Sequence, residues 1–201
     1  MGRGHGGTGV RGGGGGMSSS DVLARYPELT TKVKDETVRQ ELVQAIQDME
    51  KEFGVTPDKI KFYSRSNNEA GYDNENETGI NLKYLGDHAQ SVVEYSTGYH
   101  PAGTERNPAR ATMVHELAHK IERTGKNWSP VSAFNKELDT AYKSFLSGWR
   151  QGKKNNPTAH SLGLYSTSDK HEYFAEALSA YNSGLRNQYT TAAYKIAKKY
   201  K

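Results

Sequence analysis

The sequence predicts an α+β fold with a small sheet and a helical C-terminal half. Three observations lead there: a long amphipathic helical pattern precedes any strand-like run, only two short runs read as strands, and four helical patterns fill the second half.

The elements follow in order. Asp35 precedes a pattern that sets Val38, Leu42, Ala45, Ile46, Met49 and Phe53 on one face, and Gly54 closes it. A short strand is expected at Ile60–Tyr63. Residues 64–78, rich in Asn, Glu, Gly and Asp, read as a loop. The run Ile80-Asn81-Leu82-Lys83-Tyr84-Leu85 alternates apolar and polar residues, as a half-buried or edge strand does. Residues 96–106 form another polar connection. Asn107 can then act as N-cap, Pro108 fits the first helical position and Gly125 suits the residue past the end, so 108–124 should be helical. Ser129-Pro130 repeats the start signal, with Val131, Phe134, Leu138, Ala141, Tyr142 and Phe145 as the buried face up to Gly148. Further helices are expected from near Ser168 to Gly184 and over 187–199. No internal repeat is present.

The chain has 201 residues, 34% of them hydrophobic, and its mean hydropathy is -0.87. Part of that polarity comes from residues 1–20, which are nearly all Gly or small polar. Such a run cannot bury enough apolar area to offset the entropy of ordering it, so it reads as a flexible tail or linker, with His5 a solvated histidine inside it. Residues 21–201 are expected to form one domain. The net charge is +4, and Arg3 and Arg11 supply two of those charges, which leaves too little to argue for nucleic acid. The lysines at 195, 198, 199 and 201 are explained by the dipole at a helix C-terminus. There is no cysteine, so thiolate metal sites and disulfides are excluded. No signal segment or transmembrane run is seen, so the expected location is cytoplasmic, virion-associated or outside the cell by a non-classical route. A monomer without membrane partners is expected.

The chemistry is concentrated in two segments. The first is His115-Glu116-Leu117-Ala118-His119, inside the helix expected over 108–124. Histidines at i and i+4 project from one face a turn apart, so both imidazoles can reach one ion, and Glu116 beside them can take a proton from water held there. The plainer alternative is a pair of surface histidines. A catalytic zinc needs a third protein ligand and an open position, and no third histidine follows closely. The best candidate is Glu172, in His171-Glu172-Tyr173-Phe174-Ala175-Glu176-Ala177. Glu172 and Glu176 share a helical face, so one can bind metal while the other orients a ligating histidine. Alternatively, Glu172 completes a capping box with Asp169, or both carboxylates are solvated.

These paired motifs resemble the metallopeptidase domain of anthrax lethal factor and its relatives, which include bacterial Pro-Pro endopeptidases. The resemblance covers about residues 80–181 and implies a zincin-like fold. It also implies one Zn2+ per chain on His115, His119 and Glu172, with Glu116 as catalytic base and Glu176 supporting a histidine. Tyr165, seven residues before Glu172, stands where the family's oxyanion-stabilising tyrosine stands. Ala118 replaces the family's common Gly. The implied substrate is a protein or peptide bound in extended form along residues 80–85, cut by a toxin-type or phage-encoded effector. An idle zincin-like module in phage assembly is the competing reading.

Other residues are weaker candidates. His160 and His171 lie near the second motif and could be mistaken for ligands, and His171 is expected at the surface or facing substrate. His88 and His100 are expected in surface loops. Tyr84, Tyr95 and Tyr99 could line a cleft, although aromatic packing explains them as well.

Overall fold

The computed structural model describes residues 16–66, 69–124, 127 and 129–201. The expected tail therefore lies largely outside the described residues, as do His5 and Gly125. Its last part does not behave as tail. Helix α1 (Ser19–Arg25) starts inside it, because Ser18 and Asp21 form a reciprocal capping box. The Met17 amide donates to Glu50 Oε2 at 2.8 Å, and its carbonyl accepts from Gln47 at 2.9 Å. The boundary expected at residue 20 thus falls within a packed helix. A short α2 (Glu28–Lys32) follows. Val22, Tyr26, Leu29 and Val33 from this N-terminal segment are all buried.

Helix α3 (Glu36–Phe53) forms as expected. Asp35 accepts from the amides of Thr37 and Val38, and Gly54 ends the helix at φ 70°. The expected apolar face is buried, from Val38 to Phe53.

The sheet has three strands: β1 (Ile60–Tyr63), β2 (Gly71–Asp73) and β3 (Thr78–Asn81), in the order β1-β3-β2. β1 runs parallel to β3, with Ile60 opposite Thr78, and β2 runs antiparallel to it, with Gly71 opposite Ile80. Two expectations are corrected here. Residues 64–78 are not all loop, since they contain β2. Residues 80–85 are not an edge strand, because Ile80 and Asn81 belong to the central strand and Leu82–Leu85 is helix α4. The physical reason is Asn81. It caps α4 by accepting from Lys83 N, and its amide donates to the carbonyls of Arg65 and Glu69 at 2.9 Å each. The alternation that looked like a strand is two residues of strand followed by a turn of helix.

Helix α5 (His88–Tyr95), capped by Asp87, occupies a stretch not read as helical. A 3-10 turn at Thr104–Arg106 leads into α6 (Pro108–Arg123). Pro108 sits at the first helical position, but the Asn107 side chain makes no cap. Instead the buried Glu41 of α3 accepts from the amides of Ala109 and Arg110, at 2.9 and 3.3 Å. A carboxylate there satisfies orphan amides and complements the helix dipole.

Helix α7 (Ala133–Arg150) begins after Ser132, not at Ser129-Pro130, and it runs past Gly148. Val131, expected on the buried face, is 75% exposed. After α8 (Pro157–His160) come α9 (Lys170–Asn182) and α10 (Gln188–Tyr200), capped by Asp169 and Asn187. Helices α6 and α9 pack against each other at the centre. α3 and the sheet lie against α6, while α7 and α10 lie against α9. Residues Tyr173 to Ala180 of α9 are buried without interruption, which is why this helix shows little amphipathic pattern. The observed class is mixed α+β, and among the described residues no helix is long and apolar enough to cross a membrane.

Candidate metal centre

The centre lies where α6 and the first turn of α9 meet. One helical turn separates His115 from His119, and their Nε2 atoms converge to 3.2 Å. Asp169 fixes the start of α9 by accepting from His171 N at 2.7 Å and Glu172 N at 2.9 Å. Its carboxylate is therefore occupied with backbone, and that of Glu172 is not part of the cap. Glu172 Oε2 instead lies 3.1 Å from His115 Nε2 and 3.7 Å from His119 Nε2. Farther along, Ser179 Oγ of α9 donates to the Ala111 carbonyl of α6 at 2.9 Å, so the two helices are tied below the site.

The three atoms form a triangle with edges of 3.1, 3.2 and 3.7 Å. Ligands about 2.0–2.1 Å from a tetrahedral ion would be about 3.3 Å apart by simple trigonometry. The donor set also suits a borderline-soft divalent ion: two imidazoles and a carboxylate. Glu172 Oε2 is buried and has no hydrogen-bond donor in line. Two Nε2 atoms at 3.2 Å cannot both carry a proton toward each other. A shared cation would resolve both conflicts. Among the described residues this is the grouping of His, Asp and Glu able to hold a metal.

The electrostatics are those of a tightly compensated cluster. Burial disfavours the charge on His115, but Glu172 and Glu176 outweigh it and raise its pKa well above the usual value. Burial likewise opposes His119, yet Glu122 and Glu172 raise it to about 9. Burial would raise both carboxyls, but His115 and His119 hold Glu172 far below the usual range, and His100 and His115 hold Glu176 at about 2.

Glu116 is buried beside the histidines, and its pKa is raised by burial against the opposing pull of His115 and His119. Strand β2 passes directly over it: a Cβ built on Gly71 would stand 2.7 Å from Glu116 Oε1. Tyr165 lies in a 3-10 turn (Tyr165–Thr167), half-buried, its ring near-parallel to His115 at 6.1 Å and stacked on Tyr99 at 5.2 Å. Burial, then the charge of Glu172, pushes its hydroxyl pKa up, so it stays protonated as a donor. A cavity of about 140 Å³ opens here, lined among others by Gly71, Tyr99, His100, His115, Glu116 and Tyr165.

Of the weaker candidates, His100 is not a surface residue. It stacks on buried Tyr95 at 4.2 Å and meets Glu176 Oε1 at 3.1 Å. His88 is the first residue of α5 and pairs with Glu41 at 2.8 Å. His160 donates to the Trp149 carbonyl and stacks on that indole, far from any ligand role. Tyr95 and Tyr99 line the cavity, while Tyr84 packs against the core. Sequence reasoning missed Glu122, whose carboxylate contacts both His119 and His171. Its position one turn beyond His119 on the same helix was the available signal. No family model, curated protein or solved structure matches the chain.

Proposed function

We propose that this protein is a zinc-dependent endopeptidase of zincin-like architecture, with the ion held by His115, His119 and Glu172. The observation that carries this reading is the triangle of Nε2, Nε2 and Oε2 atoms at near-tetrahedral spacing, one corner of which, His115, also lines a cavity with Glu116 and Tyr165. Bound zinc supplies Lewis acidity and brings the pKa of water to about 7.

The chain's own groups do the rest. The Glu116 carboxylate, with its raised pKa, takes a proton from the attacking water and delivers it to the leaving amine. The Tyr165 hydroxyl donates to the developing oxyanion. β2 has one side paired to β3 and passes over Glu116, so its other side is where an extended peptide would pair by backbone hydrogen bonds. That role moves from residues 80–85 to Gly71–Asp73.

The test combines metal analysis with peptide-library cleavage read by mass spectrometry. One zinc per chain, lost in Glu172→Ala, together with cleavage that is lost in Glu116→Gln while zinc is kept, supports the reading. A chain that takes up no zinc ends it. Zinc without cleavage would favour the idle module.

A further inference from the structure

Each ligand histidine turns its Nδ1 away from the meeting point of the Nε2 atoms, and each Nδ1 meets a buried carboxylate. His115 Nδ1 is 3.2 Å from Glu176 Oε1, and His119 Nδ1 is 3.2 Å from Glu122 Oε2. Both carboxylates also hold a second histidine. His100 Nδ1 lies 3.1 Å from Glu176 Oε1, and His171 Nδ1 lies 3.3 Å from Glu122 Oε1. Two chains of the form His–Glu–His therefore run outward from the centre: His115–Glu176–His100 and His119–Glu122–His171.

We propose that Glu122 and His171 are positioning residues for the metal centre, with Glu122 orienting the ring of His119 and His171 orienting Glu122. The identity of the ion rests on the zinc reading above. An Nδ1–H donated to a carboxylate fixes both the tautomer and the ring, leaving the Nε2 lone pair aimed at the ion. Glu122 has only 2% of its side chain exposed. A carboxylate so buried is expensive to hold unless both oxygens are engaged. His119 engages Oε2 and His171 engages Oε1, so the carboxylate cannot swing between rotamers.

The placement of His171 gives this chain its reach. It precedes Glu172 in the first turn of α9, and Asp169 ties the amides of both. One turn of α9 thus presents Glu172 to the ion and, next to it, His171 to the carboxylate behind His119. A slip of α9 along α6 would disturb two of the three ligands together, which couples the helix interface to metal affinity. A mere tether between helices would affect folding stability but not the affinity of the folded protein for metal.

Metal-free full-length protein would be titrated with Co2+ against a competing chelator, following the visible absorption of the bound ion. Glu122→Gln is expected to weaken binding 10–100-fold and shift the Co2+ band. His171→Ala should weaken it several-fold, and the double variant should be no weaker than Glu122→Gln alone, since His171 acts through Glu122. Unchanged affinity in Glu122→Gln overturns the proposal, as does a His171→Ala effect that persists undiminished in the Glu122→Gln background. Should Glu122→Gln fail to fold, His171→Ala decides alone, and unchanged affinity and spectrum overturn the proposal. Wild-type protein that binds no metal is a separate result, seen before any variant is made, and it overturns the zinc reading along with this one.

Discussion

Gly71 lies where β2 comes closest to Glu116, and the absence of a side chain there is what lets the carboxylate stay under the strand. A Cβ would press on Glu116 Oε1 and Cγ and on Thr112 Cγ2, the last two at 3.0 Å. On the proposed function, Gly71→Ala should therefore lower kcat by about 10- to 100-fold, through a small displacement of Glu116, the proposed base, while zinc content stays at the wild-type level. Normal turnover in that variant would remove the steric argument. Tyr165→Phe keeps the stacking on Tyr99 and removes only the donor. The expected loss is about 100- to 1000-fold in kcat with KM little changed, and steady-state kinetics on one cleaved peptide would check it. His115, Glu116 and His119 were legible in the sequence because a helix alone sets their geometry. Glu172, Glu176 and Tyr165 needed the resemblance as well. Glu122 offered only its place one turn beyond His119, and the pairing with His171 arises from packing between α6 and α9. His100 was not legible, because its contact with Glu176 joins a loop to a helix 76 positions away.

At the scale of elements, caps carried most of what could be read. Asp35 and Pro108 announced α3 and α6, and α9 and α10 were expected near Ser168 and Asn187, close to their observed starts, whereas α4, α5 and α8 are too short for a periodic pattern to emerge. β2 has only three residues in a Gly- and Asn-rich stretch, and its strand character comes from pairing with β3. The helix that carries both histidines is capped from outside. Glu41→Ala would leave the Ala109 and Arg110 amides unpaired and His88 without its carboxylate, and it should destabilise the protein by about 2 kcal/mol. Denaturant midpoints at an unchanged m-value would show this, and a shift under about 0.5 kcal/mol would mean that the amides find other partners. A weaker tether joins α3 to α10, where Glu52 accepts from Lys198 and Tyr194 at 3.0 Å each. Lys198, then Tyr194, lowers the Glu52 pKa from its ordinary 4.5. A lowered carboxyl pKa stabilises the fold above the unfolded value and loses that effect as pH falls through the folded one. Glu52 is 37% exposed, so screening limits the effect to at most about 0.5 kcal/mol. Glu52→Gln should thus be slightly less stable at pH 7 and indistinguishable from wild type near pH 2.

In the whole molecule, the candidate centre joins two halves that each have their own packing. α3 and the sheet lie on one side of the α6–α9 pair, and on the other lies an aromatic cluster with Phe145 stacked on Tyr173 at 5.0 Å and Phe134 against Phe174 at 5.4 Å. This core does not depend on the ion, so metal-free protein should remain folded and unfold cooperatively, unlike a zinc finger. Zinc at about a thousand times its Kd would add about 4 kcal/mol, or about 8–16 °C in Tm for a domain of this size. The size of that gain should depend on pH, and the sign follows from the histidines. His119 is raised from 6.5 to about 9 in the metal-free fold, so its proton stabilises that fold fully below 6.5 and ceases to do so as pH rises through about 9. Zinc needs the unprotonated nitrogen and must displace that proton at lower pH. The metal-free protein therefore weakens over the interval in which zinc binds more strongly, and the gap in Tm between zinc-loaded and chelator-treated protein should widen from pH 6 to pH 8.5. A gap that is constant or narrows with pH would mean that no proton leaves the cluster when metal enters, which is incompatible with His119 as a ligand.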